Sequence, residues 1–132
     1  MRLIPIAAAA ALAMQAGAAT AQDCNGAGSN VEITQCLDRV FRAEDAELNR
    51  VWKRANASID GQDWLSPADR RAWRDDLLAA QRAWIAFKEA DCKRAVVREW
   101  GGGSGTSGGV LSCLIGKTRE RSRELRERYD VR

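Results

Sequence analysis

The sequence contains no histidine among its 132 residues and only two prolines. Without an imidazole, the chain has no Ser-His-Asp or Cys-His nucleophile system, no HExxH metalloprotease motif and no histidine-ligated zinc. An enzyme would have to work through carboxylates, yet most acids fall on helical faces predicted to be exposed or next to arginines. We therefore expect neither catalysis nor a cofactor. The scarcity of proline leaves room for long helices, and no alternating strand pattern is present.

The chain also lacks a strong excess of charge of either sign. Lys and Arg number 21 against 18 Asp and Glu, which gives a net charge of +3. Nucleic-acid binders need a clustered basic face, whereas the arginines between residues 119 and 128 alternate with glutamates, so no nucleic-acid partner is predicted. With 45% apolar and 30% charged residues, the composition is that of a globular protein.

The N-terminus has the pattern of a secretory signal peptide. A short positive start is followed by an alanine-rich apolar run over residues 3–19 and by the small-x-small site Ala19-Thr20-Ala21. A membrane anchor is the alternative, but the run is short for a span and has no basic flank behind it. A lipid anchor would need small residues directly before Cys24. We predict a signal peptide over residues 1–21 and one exported domain over 22–132, periplasmic or secreted, with no membrane span after signal removal.

The cysteines predict a disulfide-stapled domain. There are four: Cys24, Cys36, Cys92 and Cys113. A zinc site is the alternative, but the CxxC spacing is absent and export favours oxidation. Three pairings are possible, and the sequence alone does not choose among them. We favour Cys24–Cys36 and Cys92–Cys113, because both close local loops around helix ends. The second would contribute about 3 kcal/mol in the chain-entropy model.

Apolar spacing predicts three helices. The first covers residues 31–59, with Asn30 or Ser29 as its cap, and the second begins with Ser66 as its cap and Pro67 in the first position and stops before Gly101. The third, shorter helix begins at about Val110. Between the last two lies a run with six glycines over residues 101–109, predicted to be a flexible connector because no phosphate-binding motif surrounds it. The predicted fold is all-α, a long antiparallel helical hairpin plus a third C-terminal helix packed beside one end, with two disulfides.

Three segments resemble the motifs of a known family. They read Asp45-Ala46-Glu47-Leu48-Asn49, then Gln81-Arg82-Ala83-Trp84-Ile85-Ala86-Phe87-Lys88-Glu89-Ala90-Asp91-Cys92, then Gly101-Gly102-Gly103-Ser104 followed by Cys113. These resemble the D-x-x-L-N, Q-R-x-W-x-x-[FY]-[KR]-x-x-x-C and glycine-loop hallmarks of the lysozyme inhibitor LprI family. The resemblance covers nearly all of the predicted mature chain. It implies the fold with more force than the activity, because only some members are tied to lysozyme inhibition.

Four family positions are predicted to form a structural polar set. In an antiparallel hairpin with its turn near residues 60–66, Asp45 falls opposite Arg82. We predict an Asp45–Arg82 ion pair whose hydrogen bonds are completed by Asn49 and Gln81. Such a set would fix the register of the two helices rather than add much stability.

Two surfaces compete as partner-binding sites. Trp64 and Trp100 do not fit the apolar stripes, and Trp100 adjoins the glycine run. The candidate contact residues at that end are Arg98, Trp100, Ser104, Thr106, Ser107 and Lys117. Acids cluster at the opposite end, near residues 60–76. The predicted function is an exported binding protein with a protein partner, lysozyme being the partner that the resemblance implies. The alternative is a periplasmic interaction or structural module for another envelope or toxin partner, without catalysis.

Overall fold

The described part of the chain is helical throughout. The computed structural model describes residues 21–131, so the predicted signal peptide lies outside the described residues apart from Ala21. In chain order the elements are a 3₁₀ turn (Ala21–Gly26), α1 (Asn30–Asp60), α2 (Pro67–Ala90), a π-helical turn (Asp91–Ala95), α3 (Val96–Glu99) and α4 (Thr106–Tyr129). The predicted all-α fold of three main helices and two disulfides is confirmed.

The predicted caps explain where the first two long helices begin. The Ser29 hydroxyl accepts a hydrogen bond from the Glu32 amide at 3.2 Å, and the Glu32 carboxylate in turn accepts from Ser29 Oγ. Ser66 accepts from the Asp69 amide at 3.1 Å, with Pro67 in the first helical position. Both arrangements satisfy amides that a helix N-terminus leaves without partners.

The third long helix begins earlier than predicted. The sequence placed its start at about Val110, but α4 begins at Thr106 and therefore includes Gly108 and Gly109. With 24 residues it is as long as α2, so it is not the shorter element that was expected. The flexible connector correspondingly shrinks to the few residues between Glu99 and Thr106.

The closest neighbour of α1 is α4 rather than α2. The two helices run in the same direction: Leu37 approaches Gly108, and further along Arg119 donates to Glu44 at 2.7 Å. Small side chains such as Ala55 and Ser122 are fully buried on these helices, which allows close packing. By contrast, α2 runs antiparallel to both and is held by larger side chains.

The core consists of two apolar clusters separated by a polar layer. One cluster lies near the α1–α2 turn and contains Leu48, Val51, Ala55, Ile59, Leu77, Leu125, Tyr129 and Val131. The other lies at the opposite end and contains Cys24, Leu37, Val40 and Ile115. Along α4, the buried residues Thr118, Arg121 and Ser122 fall between them. The Lys88 ammonium is buried nearby, 4.8 Å from the centre of the Trp84 ring.

The predicted Asp45–Arg82 ion pair is not formed among the described residues. Arg82 and Asn49 are exposed on their helices, and Asp45 is half-buried. Gln81 is buried as expected, but it accepts a hydrogen bond from Arg121 Nε of α4 at 2.9 Å. The physical reason is that α4 occupies the position along α1 that the hairpin prediction gave to α2.

Candidate binding site

Trp100 lies against a seat formed by two glycines of the α4 N-terminus. A Cβ at Gly105 would be 2.6 Å from Trp100 Cζ3, and a Cβ at Gly109 would be 2.6 Å from Trp100 Nε1. Real Cβ atoms do not approach other atoms so closely, so only glycine at both positions lets the indole lie there. The residues are four apart and therefore share one face of the helix. The side chain nevertheless remains 52% exposed.

The connection between Trp100 and α4 is a pair of tight turns. Gly101 and Gly102 have positive φ angles of 61° and 74°, the region that glycine occupies without strain. The Gly103 amide donates to the Trp100 carbonyl at 3.3 Å, and the Thr106 amide donates to the Gly103 carbonyl at 3.0 Å. Backbone hydrogen bonds therefore shape the segment that composition alone predicted to be a flexible connector.

A groove of ≈ 510 Å³ opens beside Trp100. Four segments line it: the 3₁₀ turn, the first two turns of α1, the end of α3 and the first turns of α4. Its apolar surface includes Ile33, Leu37, Val96 and Trp100. Its polar surface includes Asn25, Asn30, Thr34, Glu99, Ser104 and Ser112. Most of these residues could not be predicted from the sequence, because they come together only through the packing of α1 on α4.

Each disulfide holds at least one segment that lines this groove. The favoured pairing of the cysteines is confirmed. Cys24–Cys36 joins the 3₁₀ turn to α1 with a Cα–Cα distance of 5.7 Å. Cys92–Cys113 joins the π-helical turn to α4 with a Cα–Cα distance of 5.5 Å. No described cysteine is free.

The structure brings only part of the predicted contact set together. Trp100 and Ser104 line the groove, and Ser107 is exposed on the first turn of α4. Thr106 is half-buried, and its hydroxyl oxygen has no hydrogen-bond partner within residues 21–131. Arg98 is exposed beside a separate concavity that it shares with other basic side chains of the π-helical turn.

Lys117 stands apart from the predicted contact set. It forms an ion pair with Asp91 at 2.8 Å, and its ammonium lies 4.5 Å from the centre of the Phe87 ring. Eleven residues separate it from Thr106, which corresponds to about 16 Å along a helix. Its charge is therefore used within the bundle, where α4 meets the end of α2 and the π-helical turn.

The opposite end of the bundle carries the other exposed tryptophan. Trp64 is 75% exposed, and its Nε1 donates to Gln62 at 2.8 Å. Of the acids at this end, Asp60 is paired with Arg74, and the Asp69 carboxylate accepts a hydrogen bond from the Ser66 hydroxyl. Part of the predicted acidic surface is thus neutralised or used in capping.

Two carboxyl groups among residues 21–131 have a pKa below the ordinary value of 4.5, and both are ion-paired. Burial by itself would raise the pKa of Glu47, but hydrogen bonds from Arg50 and Arg126 lower it further than burial raises it. The hydrogen bond from Arg121 is the main cause of the lowered pKa of Glu124. Both groups are held as carboxylates by arginines. The Glu47–Arg126 pair links α1 to α4, whereas Glu124 is paired with Arg121 and Arg128 of its own helix.

One cluster among the described residues has the composition of a metal site. It consists of Asp91, Cys92 and Cys113. The two cysteines are joined in a disulfide and Asp91 is paired with Lys117, so neither thiolates nor a free carboxylate are offered. None of the described helices is long and apolar enough to cross a membrane.

Comparison with known proteins places these features in a family. An uncharacterized protein of Rhizobium meliloti (strain 1021) is 36% identical over 108 residues, which cover 80% of this chain and 77% of the relative. No solved structure matches the chain. The family model described as lysozyme inhibitor LprI matches residues 21–125, the disulfide-bonded helical domain with its glycine turns. The chain therefore belongs to the LprI lysozyme inhibitor family.

Proposed function

We propose that this protein is an exported inhibitor of lysozyme that contacts the enzyme through the Trp100 end of its bundle. Family membership supports a binding role. The observation that carries the choice of surface is the half-exposed Trp100 on its seat of Gly105 and Gly109. Exposed aromatic side chains held in one position are typical anchors of protein interfaces, because little conformational freedom remains to be lost on binding.

The chemistry of this end suits a glycan-cleaving cleft. Lysozyme cleaves its substrate with a carboxylic acid and a carboxylate that face each other across a groove. The narrow turn over residues 101–103 carries no side chains beyond hydrogen and can enter such a groove. Arg98, close to the turn in the chain, is exposed and has no ion pair with another described residue, so its guanidinium is available to a carboxylate.

Short-range contact rather than long-range attraction drives this proposed complex. The net charge of +3 gives no attraction toward a basic enzyme. The acidic end, which would supply a local attraction, has Asp60 paired with Arg74. Affinity must therefore come from the area buried around Trp100, and we expect only a weak dependence on salt concentration.

The experiment is a turbidity assay of lysozyme on a cell-wall suspension with the purified, oxidised protein. Trp100→Ala is compared with Trp64→Ala, which removes an equally large exposed aromatic from the opposite end. Arg98→Ala is compared with Arg82→Ala, which removes an exposed arginine from α2. We expect inhibition to be weakened at least tenfold by Trp100→Ala, less by Arg98→Ala, and hardly at all by the two controls.

Two results would contradict the proposal in different ways. If a micromolar excess of the protein fails to slow lysozymes of differing charge, inhibition itself is wrong. If the protein inhibits but Trp64→Ala abolishes the effect while Trp100→Ala does not, the contact surface is at the other end of the bundle.

A further inference from the structure

The groove beside Trp100 combines three kinds of surface in one concavity. The exposed part of the indole offers a flat π surface, Ile33 and Val96 offer an aliphatic patch, and several short polar side chains surround both. The groove volume of ≈ 510 Å³ lies within the range of about 300–1,000 Å³ that is typical of small-molecule sites.

The polar side chains of the groove have hydrogen-bonding capacity to spare. Asn25, Asn30, Glu99 and Ser112 form no side-chain hydrogen bond to another described residue. An asparagine amide both donates and accepts, a carboxylate accepts, and a serine hydroxyl does either. Together they suit a ligand with several neighbouring hydroxyl or amide groups, rather than a fully charged or a fully apolar one.

We propose that this groove binds an N-acetylated hexosamine ring of a glycan, stacked on the exposed indole surface of Trp100. One face of a pyranose ring presents C–H groups of slight positive charge, which match the negative face of an aromatic ring. The ring hydroxyls reach the side chains of Asn25, Asn30 and Glu99. The methyl group of the acetamide finds the aliphatic patch of Ile33 and Val96, which a plain hexose would leave uncovered.

The proposed site is already formed before a ligand binds, because the Trp100 indole is held on its glycine seat. Because Gly105 and Gly109 support the indole from α4, its position does not depend on the ligand. Both disulfides fix segments that line the groove, so little ordering is required on binding. The proposal concerns a saccharide and does not depend on inhibition of lysozyme.

The test is an NMR titration of the isotope-labelled, oxidised protein in the absence of lysozyme. The probes are the β-1,4-linked trimer of N-acetylglucosamine and, for comparison, cellotriose, which has the same ring and linkage but no acetamide. Each tryptophan gives one indole N–H signal, and Trp100→Phe and Trp64→Phe assign the two that matter. We expect the trimer to shift the Trp100 signal with a dissociation constant of about 1 mM or lower, and to leave Trp64 unmoved.

Two variants test the stacking directly. Trp100→Ala should weaken binding of the trimer at least tenfold, and Gly109→Ala should do the same while keeping the tryptophan, because the new Cβ displaces the ring. Gly116→Ala is the matched control, since nothing lies within 4 Å of a Cβ there. Binding by Trp64→Phe should be unchanged.

The outcomes separate clearly. No movement of the Trp100 signal at about 10 mM trimer overturns the proposal. Equal movement of the Trp64 and Trp100 signals shows non-specific association with exposed indoles and also overturns it. Equal affinity for cellotriose overturns the assignment to N-acetylated sugars. Lysozyme inhibition without saccharide binding would refute this inference while leaving the proposed function intact.

Discussion

The glycine seat of Trp100 predicts that one glycine in α4 is required and another is not. In Gly109→Ala, the new Cβ would lie 2.6 Å from Nε1 and 2.7 Å from Cε2 of Trp100, so the indole must leave the helix surface. About half of this side chain is buried. Exposing on the order of 100 Å² of apolar surface costs about 2–3 kcal/mol. Alanine regains about 0.5–1 kcal/mol of helix propensity, so the net loss of unfolding free energy is about 1–2 kcal/mol.

The same substitution elsewhere in α4 should have the opposite sign. At Gly116 nothing lies within 4 Å of a Cβ, so Gly116→Ala should stabilise the protein by about 0.5–1 kcal/mol. At Gly108 the nearest atom is Leu37 Cδ1 at 3.9 Å, an ordinary van der Waals contact. Gly108→Ala should therefore be neutral or mildly stabilising, although it lies next to Gly109 in the chain.

Urea denaturation of the oxidised variants measures these differences. A double-mutant cycle isolates the cause: in a Trp100→Ala background, Gly109→Ala should no longer destabilise, because the ring with which the Cβ collides is gone. Equal stability of Gly109→Ala and Gly116→Ala would show that the Trp100 indole does not pack against Gly109. A loss that persists in the Trp100→Ala background would show that the Cβ disturbs the helix rather than the indole.

Three further predictions concern the linkages of the bundle. Replacing Cys92 and Cys113 by serine should lower the unfolding free energy by about 3 kcal/mol in urea, and an unchanged midpoint would contradict it. The pKa of Glu47 is lower in the folded protein than its ordinary value of 4.5, so this carboxylate stabilises the fold above pH 4.5. That stabilisation is lost as the pH falls through the pKa of the folded state. Glu47→Gln should make the unfolding free energy depend less on pH in this acidic range. An unaltered dependence on pH would show that Glu47 does not contribute to it. Gln81→Leu should cost about 1–3 kcal/mol in thermal denaturation, because Arg121 Nε loses its buried acceptor, and an unchanged melting temperature would contradict this.

Features set by neighbouring residues were predicted well from the sequence. Ser29 and Ser66 cap helices because a side-chain oxygen reaches an amide three residues on, a property of the local chain. The favoured disulfide pairing is confirmed because each bridge closes a short loop at a helix end. The apolar stripe on α1 likewise marks its buried face. On α2 the stripe predicts burial less well, because Leu78, Ile85 and Phe87 are exposed.

Features set by the choice of packing partner were not predicted. The spacing of apolar residues shows which face of α1 is buried but not which helix covers it. Once α4 rather than α2 occupies the closest position, Arg119 reaches Glu44 and Gln81 turns to Arg121. The Asp45–Arg82 pair was predicted on the assumption that α2 packs closest to α1. With α4 in that position, the two side chains do not meet.

The glycines of the run over residues 101–109 are required for different physical reasons. Gly101 and Gly102 are needed for positive φ angles, whereas Gly105 and Gly109 are needed for the close approach of Trp100. A count of glycines predicts flexibility because it treats all positions alike. The spacing of Gly105 and Gly109 at i,i+4 was the available signal, but it has meaning only once α4 is known to begin at Thr106.

The disulfides have a consequence for the site that their effect on stability does not capture. Cys24–Cys36 joins the 3₁₀ turn to α1, both of which line the groove, and Cys92–Cys113 joins α4, which also lines it, to the π-helical turn outside it. The core near the α1–α2 turn contains neither disulfide. Reducing one bridge should therefore make one segment beside the groove mobile while the bundle remains folded. Binding at this end should therefore be lost at lower concentrations of reductant than helicity, and simultaneous loss of the two would show that groove and bundle form a single cooperative unit.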